Sequence, residues 1–388
     1  MAFSLAEIAF LSAHSLEINE VARPLKLQPA TRLKDANILR KAFGEYGRAA
    51  LELATARRSG KLPHPDIWLA DHDAVQQATP LIVAKYRAEV LAKHFPDALV
   101  HDVTCSIGTE GWACQESGLQ YIGSDIDPAR ALLAAKNLPN ALITRSDALY
   151  PSIRLDAVDI VLADPARRAG GRRIARPEDL LPPLAALFEV YASAKLVVKC
   201  APGLDFKDFP GTVELISVDG GVKEACLYSS GVQTGGKRQA TVFRGGKLVD
   251  HLDDEIDTSA VSAGDIGDFI IDPDGAVVRA GLVRHFAARE GLWMLDERIA
   301  YLTGSRIPAM STGFPVLEVV SLKQLKKALW ARGAGSLEVL VRGVDIDPDI
   351  LRKKLKLRGS QALAVVLTRI GRTGVAVICG PRTAGVSG

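Results

Sequence analysis

Between residues 100 and 168, four apolar stretches each run into a polar or glycine-containing turn: VHDVTCSIGTEG, LQYIGSDIDPAR, ALITRSDAL and AVDIVLADPARR. Helical stretches, WACQESG and ALLAAKNL, separate the first three. Parallel strands need a crossover and a helix supplies it, so this alternation constrains the region to a parallel, doubly wound α/β sheet. In such sheets the loops at the carboxyl ends of the strands converge on a ligand crevice. Those loops carry Asp102, Gly108, Gly111, Asp125, Asp127, Asp147 and Asp164, so an acidic residue recurs at every strand end.

The spacing gives these residues chemistry. Glycine in the first loop lets backbone approach a ligand closely and adopt positive φ. Asp125 follows Gly108 by 17 residues, near the ~20 expected for a ribose-binding acid. Its two oxygens can accept from both ribose hydroxyls. A dinucleotide-binding domain shares the sheet and the ribose acid, but it wants G-x-G-x-x-G. The first glycine is missing here, and Asp164-Pro165-Ala166-Arg167 would have no role.

Taken in order, the four blocks resemble the class I S-adenosylmethionine-dependent methyltransferases, in the trimethylguanosine-synthase-like branch. The resemblance implies a Rossmann-like methyltransferase sheet and S-adenosyl-L-methionine as cofactor. The cofactor-binding set it implies is Asp102, Thr104, Cys105, Gly108, Thr109, Asp125, Ile126, Asp147 and Ala148. Ser106 stands where the family usually has glycine. Asp164-Pro165-Ala166-Arg167 occupies the place of the Asp/Asn/Ser-Pro-Pro-aromatic loop of nucleic-acid amino methyltransferases, which implies catalytic roles for Asp164, Pro165 and Arg167. Ala166-Arg167 replaces the aromatic residue that stacks on the base there, and the Arg167 guanidinium plane is the candidate substitute.

Composition bounds the rest. A chain of 388 residues holds two or three domains. Its net charge of +3 is too small to imply nucleic acid by bulk charge, so a basic surface has to be local. The five cysteines, at 105, 114, 200, 226 and 379, form no C-x-x-C pair. Their number and spacing point to a reducing compartment and imply no metal. MAFSLAEIAFLSAHSLEI lacks a basic leader and contains Glu7 and Glu17, so it reads as an amphipathic helix rather than a signal. No apolar run reaches the ~18 residues of a membrane span, and a cytoplasmic location is expected.

In chain order, residues 1–75 read as a helical region, either a small substrate domain or a pack against the sheet. Thr79-Pro80 opens a helix whose apolar face is Ile82, Val83, Tyr86, Val90 and Leu91. The methyltransferase domain is expected over 76–246, ending in ELISVD, KEACLYS and QATVFR as an antiparallel hairpin. Beside the Asp164 loop, Arg168, Arg172 and Arg173 are candidate substrate contacts, since guanidinium groups fit phosphates and stack on bases. Cys200-Ala201-Pro202 loosely echoes the cysteine of RNA uridine-C5 methyltransferases, yet free cysteine is commonly a buried residue, and that reading is preferred.

Residues 247–265 are acidic, lack apolar periodicity and read as a linker. From 266 to 388 strands and helices form an α+β unit that resembles the THUMP-like domain of a bacterial branch of these methyltransferases. Arg352, Lys353, Lys354, Lys356 and Arg358 cluster in its helix PDILRKKLKLRG, and Lys354 and Arg358 are the candidate RNA-backbone contacts. Three functions stay open: an RNA methyltransferase, which is preferred; a methyltransferase of protein or a small molecule; and a non-catalytic RNA-binding protein with a degenerate fold. No membrane or metal partner is expected, and nothing in the chain indicates its oligomeric state.

Overall fold

The computed structural model describes residues 3–166, 168–169, 172–173, 179–232, 234–309 and 311–385. It divides into two compact units, residues 1–212 with 225–234, and residues 213–224 with 235–388.

The first unit opens with helices. Ser4 and Glu7 form a capping box that starts α1 (Leu5–Ala13), each side chain bonded to the other's backbone N–H. Then come α2 (Ser15–Ala22), α3 (Arg32–Phe43), α4 (Gly47–Arg57), α5 (His72–Gln77) and α6 (Leu81–His94). Strands β1 (Leu99–Asp102), β2 (Gln120–Asp125), β3 (Leu142–Arg145) and β4 (Ile160–Ala163) alternate with α7 (Thr109–Glu116) and α8 (Pro128–Asn137). A two-strand ribbon pairs β5 (Arg168–Ala169) with β6 (Arg172–Arg173). The helix α9 (Leu184–Val190) and strand β7 (Lys195–Cys200) follow.

Strands β7, β4, β1, β2 and β3 lie side by side, all parallel. The order reverses at β1, so its carboxyl end and that of β4 flank the crevice. Val100, Ile160, Leu162 and Val197 from the sheet join Ile8, Leu11, Leu39, Leu53 and Leu133 from the helices in one core. The amino-terminal helices therefore pack into the core of the sheet.

On α6 the buried face is Val83, Ala84, Arg87, Ala88 and Leu91. Of the expected face, Val83 and Leu91 are buried and Ile82, Tyr86 and Val90 are half-buried; Ala84, Ala88 and Arg87, which turns inward to a carboxylate, complete it.

In the second unit lie most of β8 (Thr212–Val218), the first half of β9 (Gly221–Tyr228), β10 (Arg238–Arg244) and β11 (Lys247–Asp253). Two expectations change here. Of the segments expected as an antiparallel hairpin, β8 and β9 are neighbours joined across Asp219-Gly220, whereas β10 runs parallel to β8. The first seven residues of the expected linker are the strand β11, antiparallel to β10 at the sheet edge. Only Leu252 in it is buried, so no apolar alternation advertises it.

Beyond it come β12 (Phe269–Ile271), α10 (Gly275–Arg279), α11 (Val283–Glu290), β13 (Trp293–Asp296), β14 (Ile299–Gly304) and β15 (Thr312–Ser321). The chain ends with α12 (Leu325–Ala331), β16 (Ala334–Val341), α13 (Pro348–Leu355), β17 (Gln361–Ile370), β18 (Thr373–Cys379) and β19 (Thr383–Ala384). β16 and β17 are parallel, which is why α13 lies between them as the crossover.

Period-two alternation gives β17 and β18 two apolar faces. Ala364, Val366, Val377 and Cys379 meet Ile270, Tyr301 and Phe314 on one side. Val365, Leu367, Ala376 and Ile378 meet Leu325, Leu329 and Leu355 on the other, which seats α12 and α13 on one face.

Candidate active site

The turn after β1 hangs between its neighbouring strands. Val103 N–H donates to Leu162 O at 2.9 Å and Cys105 N–H to Ser124 O at 2.9 Å. Two positive φ values bend it back on itself, +50° at Ser106 and +89° at Gly108, the N-cap of α7. Ser106 thus adopts the left-handed backbone that the glycine usual at this place adopts without strain. A Cβ at Gly111 would lie 2.4 Å from the Tyr121 ring, so the first turn of α7 packs down on β2 only without a side chain there. Asn137 of α8 locks the turn, its amide donating to Ile107 O and Leu69 O at 2.9 Å each.

Asp102 ends β1 fully enclosed. Its Oδ1 accepts from Thr104 N–H at 3.0 Å and its Oδ2 from the Tyr121 hydroxyl at 3.2 Å. Burial pushes this carboxyl up to about 7, with the Glu110 charge adding to the rise and the Thr104 hydrogen bond opposing it.

Asp125 ends β2. One oxygen accepts Ser106 N–H at 2.9 Å and the other Asp127 N–H at 3.0 Å. A carboxylate has about four lone-pair sites, so both oxygens retain capacity for hydroxyl donors. Burial moves its carboxyl above the usual range. Beside it Ile126 is 60% exposed, a bare apolar side chain at a strand end. Ser146 N–H donates to Asp125 O at 3.1 Å, which joins the loops after β2 and β3. In the latter, Asp147 accepts Leu149 N–H at 2.9 Å, and buried Ala148 receives the Tyr191 hydroxyl on its carbonyl at 2.6 Å.

S-adenosyl-L-methionine fits this donor set. The Thr109 hydroxyl at the start of α7 and the Trp112 indole N–H, one turn on, are buried without hydrogen-bond partners. Asp125 would offer a carboxylate to the ribose, and Ile126 an apolar face to the purine. Asp102, Thr104, Cys105, Gly108 and Thr109 therefore lie in one turn, with Asp125, Ile126, Asp147 and Ala148 on the two loops joined to it. Cys105 is buried, and its thiol is pushed up by burial and by Asp102 and Asp125.

Asp164 follows β4 and is held from two sides. Its backbone N–H donates to Thr104 Oγ1 at 2.6 Å, which ties this loop to the turn after β1. Its Oδ2 lies 2.8 Å from the Lys199 ammonium at the end of β7. Lys199 also meets Glu110 Oε1 at 3.0 Å, and Arg87 Nη1 lies 3.1 Å from both Glu110 oxygens. Burial would raise the Glu110 carboxyl, but Arg87 and Lys199 together hold it below the usual carboxylate range.

Pro165 is buried, and Ala166 pairs with Leu181 through Ala166 N–H to Leu181 O at 2.7 Å. Arg167 lies outside the described residues, as do the side chains of Arg168, Arg172 and Arg173. Cys200 is completely buried in β7.

Arg87, Glu110 and Lys199 are not among the candidate residues that the sequence points to. A signal existed for two of them. Arg87 is the one cation in the α6 stripe of Val83, Ala84, Ala88 and Leu91, and Lys199 interrupts the buried run LVVKC. A cation inside an apolar stripe implies a buried carboxylate. It does not say which one.

In the second unit the predicted Lys354 is exposed in the last turn of α13, and Arg358 follows it. Trp330 of α12 is 46% exposed. Its indole N–H donates to Leu355 O at 3.0 Å, which fixes the ring. The Lys326 ammonium lies 4.8 Å and the Arg358 guanidinium 5.9 Å from the ring centroid. α12 and the segment that follows α13 thus bring two cations to one aromatic ring, beside the exposed basic last turn of α13.

No helix among the described residues is long and apolar enough to cross a membrane. Residues 311–381 match the family described as THUMP domain-like. The chain is 46% identical over 353 residues to an uncharacterized S-adenosylmethionine-dependent methyltransferase of Mycobacterium tuberculosis, covering 86% of this chain and 96% of the relative. Among solved structures, a proposed methyltransferase from Porphyromonas gingivalis W83 superposes with a TM-score of 0.72 at 19% identity, covering 98% of this chain and 99% of that one. That likeness concerns the fold, and the closer relatives fix the rest: the chain belongs to the S-adenosylmethionine-dependent methyltransferases and uses S-adenosyl-L-methionine as its cofactor.

Proposed function

We propose that the acceptor is RNA, and that the methyl group goes to a base presented by the loop Asp164-Pro165-Ala166-Arg167. The observation that carries this reading is the basic face of α12 and α13. Lys326 and Arg358 lie over the Trp330 ring, which Leu355 O holds, and exposed Lys354 is in the last turn of α13. Cations suit phosphates and an exposed, fixed ring suits an unstacked base. A protein or small-molecule acceptor has no comparable use for such a face.

The cofactor supplies an electrophilic methyl on a sulfonium, and sulfur keeps the bonding pair when the methyl leaves. Little covalent help is then needed from the protein, and alignment accounts for most of the catalysis. Asp125 orients the donor through its ribose, while the turn at Asp102–Thr109 encloses the methionine end. Asp164 and the Pro165 carbonyl accept N–H bonds of the base and aim its lone pair. By their places in the sequence beside Asp164, Arg167 would stack on the flipped base and Arg168, Arg172 and Arg173 would take neighbouring phosphates. This requires a base out of its stack.

The test is RNA binding against salt concentration, wild type beside Arg358→Ala and Lys354→Ala. Affinity should fall as salt rises, and each variant should reduce the slope by about one. Affinity independent of salt, equal in the variants, would reject RNA as the acceptor.

A further inference from the structure

Four buried or half-buried charges alternate in sign through the first unit, and each comes from a different element. Arg87 belongs to α6, Glu110 to the first turn of α7, Lys199 to the end of β7 and Asp164 to the loop after β4. Three members are enclosed and one is not: the Arg87 side chain is 1% exposed, Glu110 8%, Lys199 4% and Asp164 30%. Only its last member, Asp164, opens to the site. Stability alone does not account for such an arrangement, since apolar residues of similar volume commonly do as well or better. The backbone of Asp164 is independently fixed by the Thr104 hydroxyl at 2.6 Å, so main chain and carboxylate are both held by groups that border the donor turn.

We propose that Lys199 is a positioning residue for methyl transfer: anchored by Glu110, which Arg87 anchors in turn, it holds the Asp164 carboxylate in one orientation at the acceptor position. The inference rests on Asp164 facing the acceptor, as proposed above. Lys199 itself is too enclosed to touch the acceptor. The ammonium fixes Asp164 in place, and Glu110 keeps the ammonium from following Asp164 if the loop moves.

The experiment uses the full-length protein, tritiated S-adenosylmethionine and an extract of cells lacking the protein, separated afterwards into RNA, protein and small-molecule fractions. Donor affinity is measured in parallel by calorimetry. Label should enter the RNA fraction, and Asp164→Asn should abolish it. Lys199→Met should lower the maximal rate about 100-fold, the scale of a misplaced reacting group, with donor KM and Kd unchanged. Lys199→Arg should recover most of that rate. Where Lys199→Met does not fold, the double variant Lys199→Met/Glu110→Gln removes one charge of each sign and should show the same loss of rate.

A folded Lys199→Met or double variant that transfers methyl as fast as wild type overturns the proposal. So does one whose donor affinity falls in step with its rate, because Lys199 would then be shaping the donor pocket. Label in the protein or small-molecule fraction with the Lys199 pattern intact would reject RNA and leave the positioning role standing. Wild-type protein that binds donor and labels no fraction would overturn both.

Discussion

Charge is used in opposite ways in the two units. In the first, Arg87, Glu110, Lys199 and Asp164 are paired in the interior, where their partners are fixed by the fold. In the second, Lys326 and Arg358 lie on the surface over Trp330, where their value depends on what arrives. Desolvation makes the difference. A buried charge that loses its partner is stranded away from water, whereas an exposed one is simply solvated. Mutations in the first set should therefore be read as changes in folding and turnover, and those in the second as changes in binding.

The largest expected effect follows from stranding Glu110. Arg87→Met should destabilise the protein by about 3–5 kcal/mol in a denaturant titration, as for other broken buried pairs. Lys326→Met should change stability by well under about 1 kcal/mol. Equal effects from the two substitutions would erase the contrast.

The next effect separates two buried carboxylates of the first unit, Asp102 and Glu110, by pH. Asp102 is raised by burial from 3.8 to about 7, so its folded form holds a proton that the unfolded chain has lost. Its contribution to stability is complete below 3.8 and is lost as pH rises through about 7. Relative to Asp102→Asn, wild type should lose up to ~1.4 kcal/mol per pH unit across most of that window. Glu110, lowered by Arg87 and Lys199 despite its burial, works with the opposite sign. Its contribution is present above its unfolded value of 4.5 and is lost as pH falls through the lower folded value. Denaturant titrations of wild type and Asp102→Asn from pH 5 to 7 isolate the Asp102 effect, and parallel curves would refute it.

On the surface side, Trp330→Ala should weaken single-stranded RNA binding by about 1–3 kcal/mol, the range for loss of one stacked base. Trp330→Phe keeps a π-face and should lose less. If both bind as wild type does, the α12–α13 face is not where RNA lies.

These two regions were also legible to different degrees. The donor turn could be read from the chain because its signals are local: apolar strands, an acid at each end, and Gly108 where backbone must turn. The lysines and arginines of α13 are likewise contiguous. The buried charge series spans residues 87 to 199 and exists only because β1, β4 and β7 lie side by side. No local pattern pairs Arg87 with Glu110. Strand β11 escaped for another reason: as an edge strand with a single buried residue, it has the charges of a loop. The parallel pairing of β10 with β8 depends on which sheet edge is open, a property of the assembled sheet.

The smallest expected effect tests a serine in the turn after β1 at a left-handed position that favours glycine. Ser106 holds φ +50° while its N–H is committed to Asp125 at 2.9 Å. A non-glycine residue held in this region stores roughly 1–2 kcal/mol of strain. Ser106→Gly would release it, but glycine also gives the unfolded chain more freedom, which offsets about 0.4–1 kcal/mol of the gain. The net should be a stabilisation of up to about 1 kcal/mol. Donor affinity by calorimetry should stay unchanged, because the Ser106 N–H that orients Asp125 is backbone. If the variant instead binds donor more weakly, the serine side chain itself takes part in the site, and the turn differs from a glycine turn in chemistry as well as in strain.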